Sequence, residues 1–177
     1  PILAMGSSEQ IQRFVPPVLA GQQISALAIT EPGGGSDVAA LTTKARREGD
    51  NYIVNGAKTF ITSGCRADFV TTAVRTGGEG HAGVSLLVIE RSSPGFGVGR
   101  KLEKTGWWAS DTAELHFEDC VVPVANRIGE EGQGFSAIMA NFVAERLMLA
   151  GQLLQRRVRP VWQRYIEALR DRHRSVR

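Results

Sequence analysis

The sequence predicts a mainly β domain, an antiparallel barrel or sandwich, flanked by helices at both ends. Three observations carry this. Seven or eight short strand-like runs lie between Ser25 and Val122 with no helical pattern among them. Gly, Asn and Asp clusters separate those runs, as hairpins require. Apolar residues return at helical spacing only after Gly134.

The elements follow in chain order. Residues 7–14, "SSEQIQRF", read as the end of a helix that stops before Pro16-Pro17. The strand candidates are "SALAIT", "LTTKARRE", "YIVNG", "KTFIT", "DFVTTAVRT", "GVSLLVIER", "GVGRKLEK" and "TAELHFEDCVV", many of them rich in β-branched residues. "GDN" and "NGA" bracket "YIV" as turns, and "GGEGHAG" separates two further strands. In "GFSAIMANFVAERLMLAGQLLQ" the residues Phe135, Ile138, Phe142 and Leu149 share one stripe of a helix. The expected organisation is residues 1–24 as the end of a helical domain, 25–130 as the β domain, and 131–177 as the start of a second helical domain that diverges after about residue 152.

Bulk composition narrows the function classes. A chain of 177 residues, 42% hydrophobic and 22% charged, has room for one good core. No window offers the roughly 18 uninterrupted apolar residues of a membrane helix. The net charge of +3 is uneven: residues 151–177 carry eight Arg against Glu167 and Asp171, while residues 1–150 carry 13 basic and 16 acidic side chains. The basic end lacks interleaved aromatics beyond Trp162 and Tyr165, so nucleic-acid binding is not expected. Cys65 and Cys120 form no CxxC, and His81, His116 and His173 show no ligand spacing. Reduced thiols, an intracellular site and no structural metal are the expectation.

The stretch "ITEPGGGSD", Ile29 to Asp37, is the first candidate site. It fits neither the G-x-x-x-x-G-K-[ST] phosphate loop nor a dinucleotide fingerprint, and a degenerate match at Gly132, Gly134 and Ala137 opens no βαβ unit. Consecutive glycines still let the backbone approach a ligand, and Ser36 adds a hydroxyl donor. Composition leaves a tight turn and an anion nest both open, with the turn favoured.

"AITEPGGGSDVAA" resembles the signature of the acyl-CoA dehydrogenase family, and "YIVNGAKTFITSG", "GRKLEKTGWWASDTAELHFEDCVVPVANRIGEEGQGF" and "NFVAERLMLAG" follow in the family's order and spacing. The resemblance covers about residues 1–152. It implies a flavoenzyme that binds FAD between a β domain and helical domains. Such an enzyme removes the α-proton of an acyl-CoA with a Glu base, passes the β-hydride to the flavin and yields a trans-2-enoyl-CoA. Leu27, Ile29 and Thr30 are then expected along the isoalloxazine edge, and Gly35 and Ser36 at the pyrophosphate, with Ser36 also near the acyl-CoA. Phe60, Ile61 and Thr62 are expected against the ring, Phe60 standing where Trp is often found. The resemblance further implies a homo-oligomer, an electron-transfer flavoprotein as electron acceptor, and a bacterial cytoplasmic or mitochondrial matrix location.

The base is expected at Glu145. It lies three residues after Phe142 and four before Leu149, in the middle of the apolar stripe, and its helical neighbours Asn141, Phe142, Met148 and Leu149 include no cation. A carboxylate so placed is expected to be desolvated with a raised pKa, unless a charge from another helix pairs with it. "AERL" resembles the branch that includes isovaleryl- and long-chain-type members, whose base sits on this helix, with Arg146 as an orienting or substrate-side cation. Val143 departs from the Asp common nearby. After Gly151 the pattern ends, and Pro160 interrupts the expected helix. A truncation or shifted reading frame and a genuine short protein with a basic helix for a partner are both consistent with that text. Three activities follow from the resemblance: a working dehydrogenase, an inactive fragment retaining the β domain, or a flavin-dependent oxidase or hydroxylase of the same fold.

Overall fold

The computed structural model describes residues 1–152 and 154; Pro160 and the Arg-rich stretch lie outside the described residues. Helices α1 (Ile2–Met5) and α2 (Ser8–Leu19) precede eight strands: β1 (Ser25–Ala28), β2 (Lys44–Glu48), β3 (Asn51–Thr62), β4 (Phe69–Arg75), β5 (Val84–Glu90), β6 (Phe96–Lys101), β7 (Thr112–Pro123) and β8 (Arg127–Ile128). A third helix, α3, runs over residues 134–152. Contacts divide the chain into two compact units, Pro1–Ile138 and Met139–Arg177. Among the described residues no helix is long and apolar enough to cross a membrane.

The mainly β expectation holds, but closure into a barrel does not. The strands form one sheet in the order β6-β7-β3-β2-β4-β5-β8, with β1 added on β4. Nor is it wholly antiparallel. β1 runs parallel to β4 from Ser25↔Phe69 to Ala28↔Thr72, and β2 meets β4 in parallel at Lys44↔Arg75. The parallel pair arises because β1 and β4 are separated by a long connection that contains the glycine loop and a whole hairpin.

That hairpin is β2–β3, turned at Gly49 with φ 57, so the "GDN" signal is a real turn. "NGA" is not one. "YIVNG" and "KTFIT" are a single twelve-residue strand, β3, paired along its length with β7. Gly56, at φ 148, lets β3 pass against Thr43, whose Oγ1 would stand 2.6 Å from an added Cβ. Two register shifts interrupt the ladder, one between Val54 and Gly56 and one between Lys58 and Ile61. Positive φ marks both places, at Asp119 on β7 and at Phe60 on β3.

Tyr52, Val54, Ile61, Val70, Leu87, Leu115 and Phe117 belong to the buried cluster on one face of the sheet. α2 does not stop before its prolines but carries Pro16 and Pro17 inside it. Two backbone donors are lost there. Docking offsets them: Phe14 is buried 4.9 Å from the Phe69 ring, and the Gln10 amide donates to the carbonyls of Ala125 and Arg127, both at 2.7 Å. A capping box between Ser7 and Gln10 fixes where the helix begins.

If Phe14 is the anchor, Phe14→Ala should cost ~3 kcal/mol of unfolding free energy, as for other buried Phe truncations. Urea denaturation followed by circular dichroism measures it; a loss under ~1 kcal/mol would show that α2 is held by its polar contacts alone.

Candidate ligand-facing loop and wall

The glycine stretch is a turn first. Glu31 and Gly34 exchange backbone hydrogen bonds, N to O in both directions at 3.1 Å, closing a four-residue turn with Pro32 and Gly33 at its tip. Residues 32–37 are exposed, and Asp37 caps the short 3-10 turn Val38–Ala40 by accepting from the Ala39 amide at 3.1 Å. A Cβ added at Gly35 would lie 3.0 Å from Thr30 Cγ2, so only glycine sits there without pushing Thr30 aside.

Beneath the turn lies a buried ion pair that sequence reasoning did not single out. Lys58 is fully buried and Glu31 is 6% exposed. The Lys58 ammonium donates to Glu31 Oε1 at 2.8 Å and to the Ile29 carbonyl at 3.0 Å. The Glu31 carboxylate also accepts from the amide and hydroxyl of Thr42, both at 2.7 Å, and from the Thr43 amide at 2.9 Å. Burial would raise the Glu31 pKa, but these bonds and the Lys58 charge outweigh it and hold it down at about 2. For Lys58, burial is the largest influence and lowers its pKa to about 8 against the opposing pull of Glu31, which leaves it protonated at neutral pH.

The wall stands next to the loop. The Thr59 amide donates to the Thr30 carbonyl at 2.9 Å, tying β3 to the residues just before the turn. At the bulge, Phe60 takes φ 59 and is 68% exposed, a large apolar ring turned to solvent. Thr62 is exposed beside it, while Ile61 between them points into the core at 2% exposure. Ile61 was expected to pack against a ring; its side chain is in the core cluster, because the bulge reverses which residues face in. Ile29 is buried as well, and Leu27 and Thr30 are half-buried. Beyond Thr62, Asp111 clamps the following turn: it accepts from the Cys65 amide at 2.8 Å and from Arg66 Nε at 2.5 Å, and its carbonyl accepts from Ser63. The adjoining loop carries Trp107 and Trp108, 75% and 81% exposed.

Among the described residues, the hydroxyls of Thr30, Ser36 and Thr62 and the amides of Gly35 and Ser36 make no hydrogen bond within the chain. Spare donors at a glycine loop beside an exposed aromatic suit a ligand with a flat ring and an anionic group. No group of three or more His, Cys, Asp or Glu among the described residues could hold a metal.

Glu145 and Arg146 belong to the second compact unit, on α3. Both are exposed, as are Leu147, Met148 and Leu149. The expected desolvation of Glu145 is therefore not found. Leu149 on the same stripe is open to solvent and Phe142 half-buried, and the Glu145 carboxylate accepts from Asn141 Nδ2 at 2.7 Å, one turn earlier.

A turn with free donors is thus locked to an exposed apolar bulge on one β domain. The sequence matches the family described as "Acyl-CoA dehydrogenase, middle domain" over residues 26–120. It is 46% identical over 145 residues to isobutyryl-CoA dehydrogenase of Bos taurus mitochondria, covering 82% of this chain and 35% of that one. Against the mitochondrial long-chain specific acyl-CoA dehydrogenase of Sus scrofa it is 45% identical over 148 residues, 82% of this chain and 34% of the relative. A crystal structure of a probable acyl-CoA dehydrogenase from Mycobacterium abscessus superposes with a TM-score of 0.81 at 64% identity, over 82% of this chain and 39% of that one. The chain belongs to the acyl-CoA dehydrogenase family. It spans about a third of the length of the curated relatives it matches.

The Glu31–Lys58 pair predicts an acid dependence. A carboxylate whose folded pKa is depressed contributes stability that is present above its unfolded value, 4.5, and lost as pH falls towards about 2. Unfolding free energy should therefore fall by roughly 2–3 kcal/mol from this group between pH 5 and pH 2. Urea midpoints across that range, compared with Glu31→Gln, provide the check. An equally steep curve in the variant would assign the acid sensitivity to other carboxylates.

Proposed function

We propose that this chain carries the flavin-facing β domain of an FAD-dependent acyl-CoA dehydrogenase that oxidises an acyl-CoA to a trans-2-enoyl-CoA. The observation that supports it most directly is the 2.9 Å bond from Thr59 to Thr30, which sets the glycine loop and the Phe60 bulge side by side. Family membership gives that juxtaposition its reading. The substrate class we assign is an acyl-CoA thioester, relatives of near-equal identity bearing isobutyryl-, long-chain- and short-chain-specific names.

The residues divide the work as follows. Gly35 and Ser36 would hold the FAD diphosphate through free amide and hydroxyl donors, and Ser36 would also meet the acyl-CoA. Phe60 would cover the ring and exclude water, while the hydroxyls of Thr30 and Thr62 would orient it. Leu27 supplies apolar area at the edge, and Ile29 and Ile61 contribute backbone there, their side chains being committed to the interior. FAD, when bound, supplies the two-electron acceptor for the hydrogen leaving the β-carbon. Glu145 takes the α-proton onto a carboxylate oxygen, and Arg146 orients the substrate side. The complete enzyme is then a homo-oligomer that passes electrons to an electron-transfer flavoprotein.

A second reading is a β domain that keeps the fold and some flavin affinity without turnover. The exposure of Glu145 and of Leu147, Met148 and Leu149 around it favours this for the chain by itself, since a general base near neutral pH needs a drier setting.

Titration of the full chain with FAD, read by fluorescence quenching, tests the common part of both readings; no uptake overturns them. Anaerobic addition of an acyl-CoA separates them: loss of the flavin's visible absorbance supports the dehydrogenase, and persistence supports the second reading. Fast return of colour in air would instead indicate an oxidase. In a chain that bleaches, Glu145→Gln should slow reduction by at least ~100-fold while leaving FAD bound, the range for removal of a general base. Unchanged reduction would place the base elsewhere.

A further inference from the structure

We propose that Lys58 is a positioning residue for the ligand face: together with Glu31 it fixes the glycine loop and the Phe60 bulge in one register. The inference rests on the flavin reading above, and it concerns a side chain that touches no ligand position. Lys58 is fully buried, immediately before the register shift between Lys58 and Ile61. Its ammonium reaches the Ile29 carbonyl and the Glu31 carboxylate, one residue to either side of Thr30. The next residue, Thr59, donates its amide to the Thr30 carbonyl. Three consecutive loop residues are thus bonded to two consecutive wall residues.

Glu31 extends the lattice in two directions. Its backbone closes the turn on Gly34, and its carboxylate collects Thr42 and Thr43, the residues that lead into β2. Gly35 then packs on Thr30 so closely that an added Cβ would stand 3.0 Å from Thr30 Cγ2. The Thr30 hydroxyl and the Gly35 amide therefore hang from backbone held by this pair or next to it. Phe60 needs such support, because a non-glycine residue at φ 59 occupies a sparsely populated region and persists only where its neighbours over-determine it.

A purely structural role would be served by an apolar pair of the same volume, since a buried ion pair is often no more stable than its hydrophobic replacement. The positioning role would not. Lys58→Met leaves Glu31 buried and unpaired and can fail to fold, so the deciding variant is the double replacement Glu31→Gln with Lys58→Met, which leaves no uncompensated charge. Amide hydrogen exchange in the full chain is read at Thr59, Gly34 and Thr43, with the β4–β5 ladder as internal reference, beside the FAD titration. The expected result is a folded protein with an unchanged β4–β5 ladder. In it, exchange at Thr59 and Gly34 is at least ~10-fold faster and the FAD dissociation constant at least ~10-fold higher, the scale set by losing hydrogen bonds to charged groups. Local exchange or flavin affinity that stays at the wild-type value in the folded double variant overturns the proposal. If the wild-type chain takes up no FAD, the flavin reading fails separately, and the exchange arm alone decides whether Lys58 couples loop to wall.

Discussion

The buried bond between Glu31 and Lys58 is the constraint on which the arrangement of loop and bulge depends. It joins two segments that are 27 residues apart in sequence and that the sheet does not pair as strands. A charge pair taken out of water is costly unless every remaining donor and acceptor finds a partner. Here the carboxylate has three further donors and the ammonium a backbone carbonyl. The desolvation cost is met by geometry, and that same geometry fixes the loop. An apolar contact in this place would tolerate sliding; a set of directed bonds does not.

The bulge is the second half of the arrangement. An uninterrupted β3 would send Phe60 to the face of Tyr52, Val54 and Lys58 and leave Ile61 outside. The register shift between Lys58 and Ile61 adds one residue and exchanges them, so the aromatic ring faces solvent and the aliphatic one the core. β6 shifts against β7 in the same stretch, between Val98 and Lys101. Both neighbours of β7 thus deviate together, and the distortion is built across three strands rather than one.

This explains how far the sequence could be read. The strands between Ser25 and Val122, the Gly49 hairpin and the apolar runs were legible, because burial and turn chemistry act over a few residues. The helix through Pro16 and Pro17 was not, since its support comes from Ala125 and Arg127, over a hundred residues away. Thr30, Ser36, Phe60 and Thr62 were singled out through the resemblance, and all four are exposed or half-buried. Lys58 was passed over, although simple alternation from Tyr52 and Val54 places it inward. A lysine at an inward position is itself a signal that a carboxylate waits for it, and the Glu of "ITEPGGG" was at hand.

Glu145 shows the opposite limit. Helical periodicity correctly puts it on the stripe with Phe142 and Leu149, but periodicity specifies a direction and not what lies there. A stripe becomes a dry environment only when another surface covers it, and the desolvation that makes a carboxylate a base at neutral pH belongs to that covering surface. The two halves of the chemistry therefore differ in how they are specified. The face proposed for the flavin is local to the first compact unit, held by bonds among its own residues. The proton-abstracting half is assigned by proposal to Glu145 on α3, and the property that makes a carboxylate basic there must come from contacts other than the Asn141 amide it now engages.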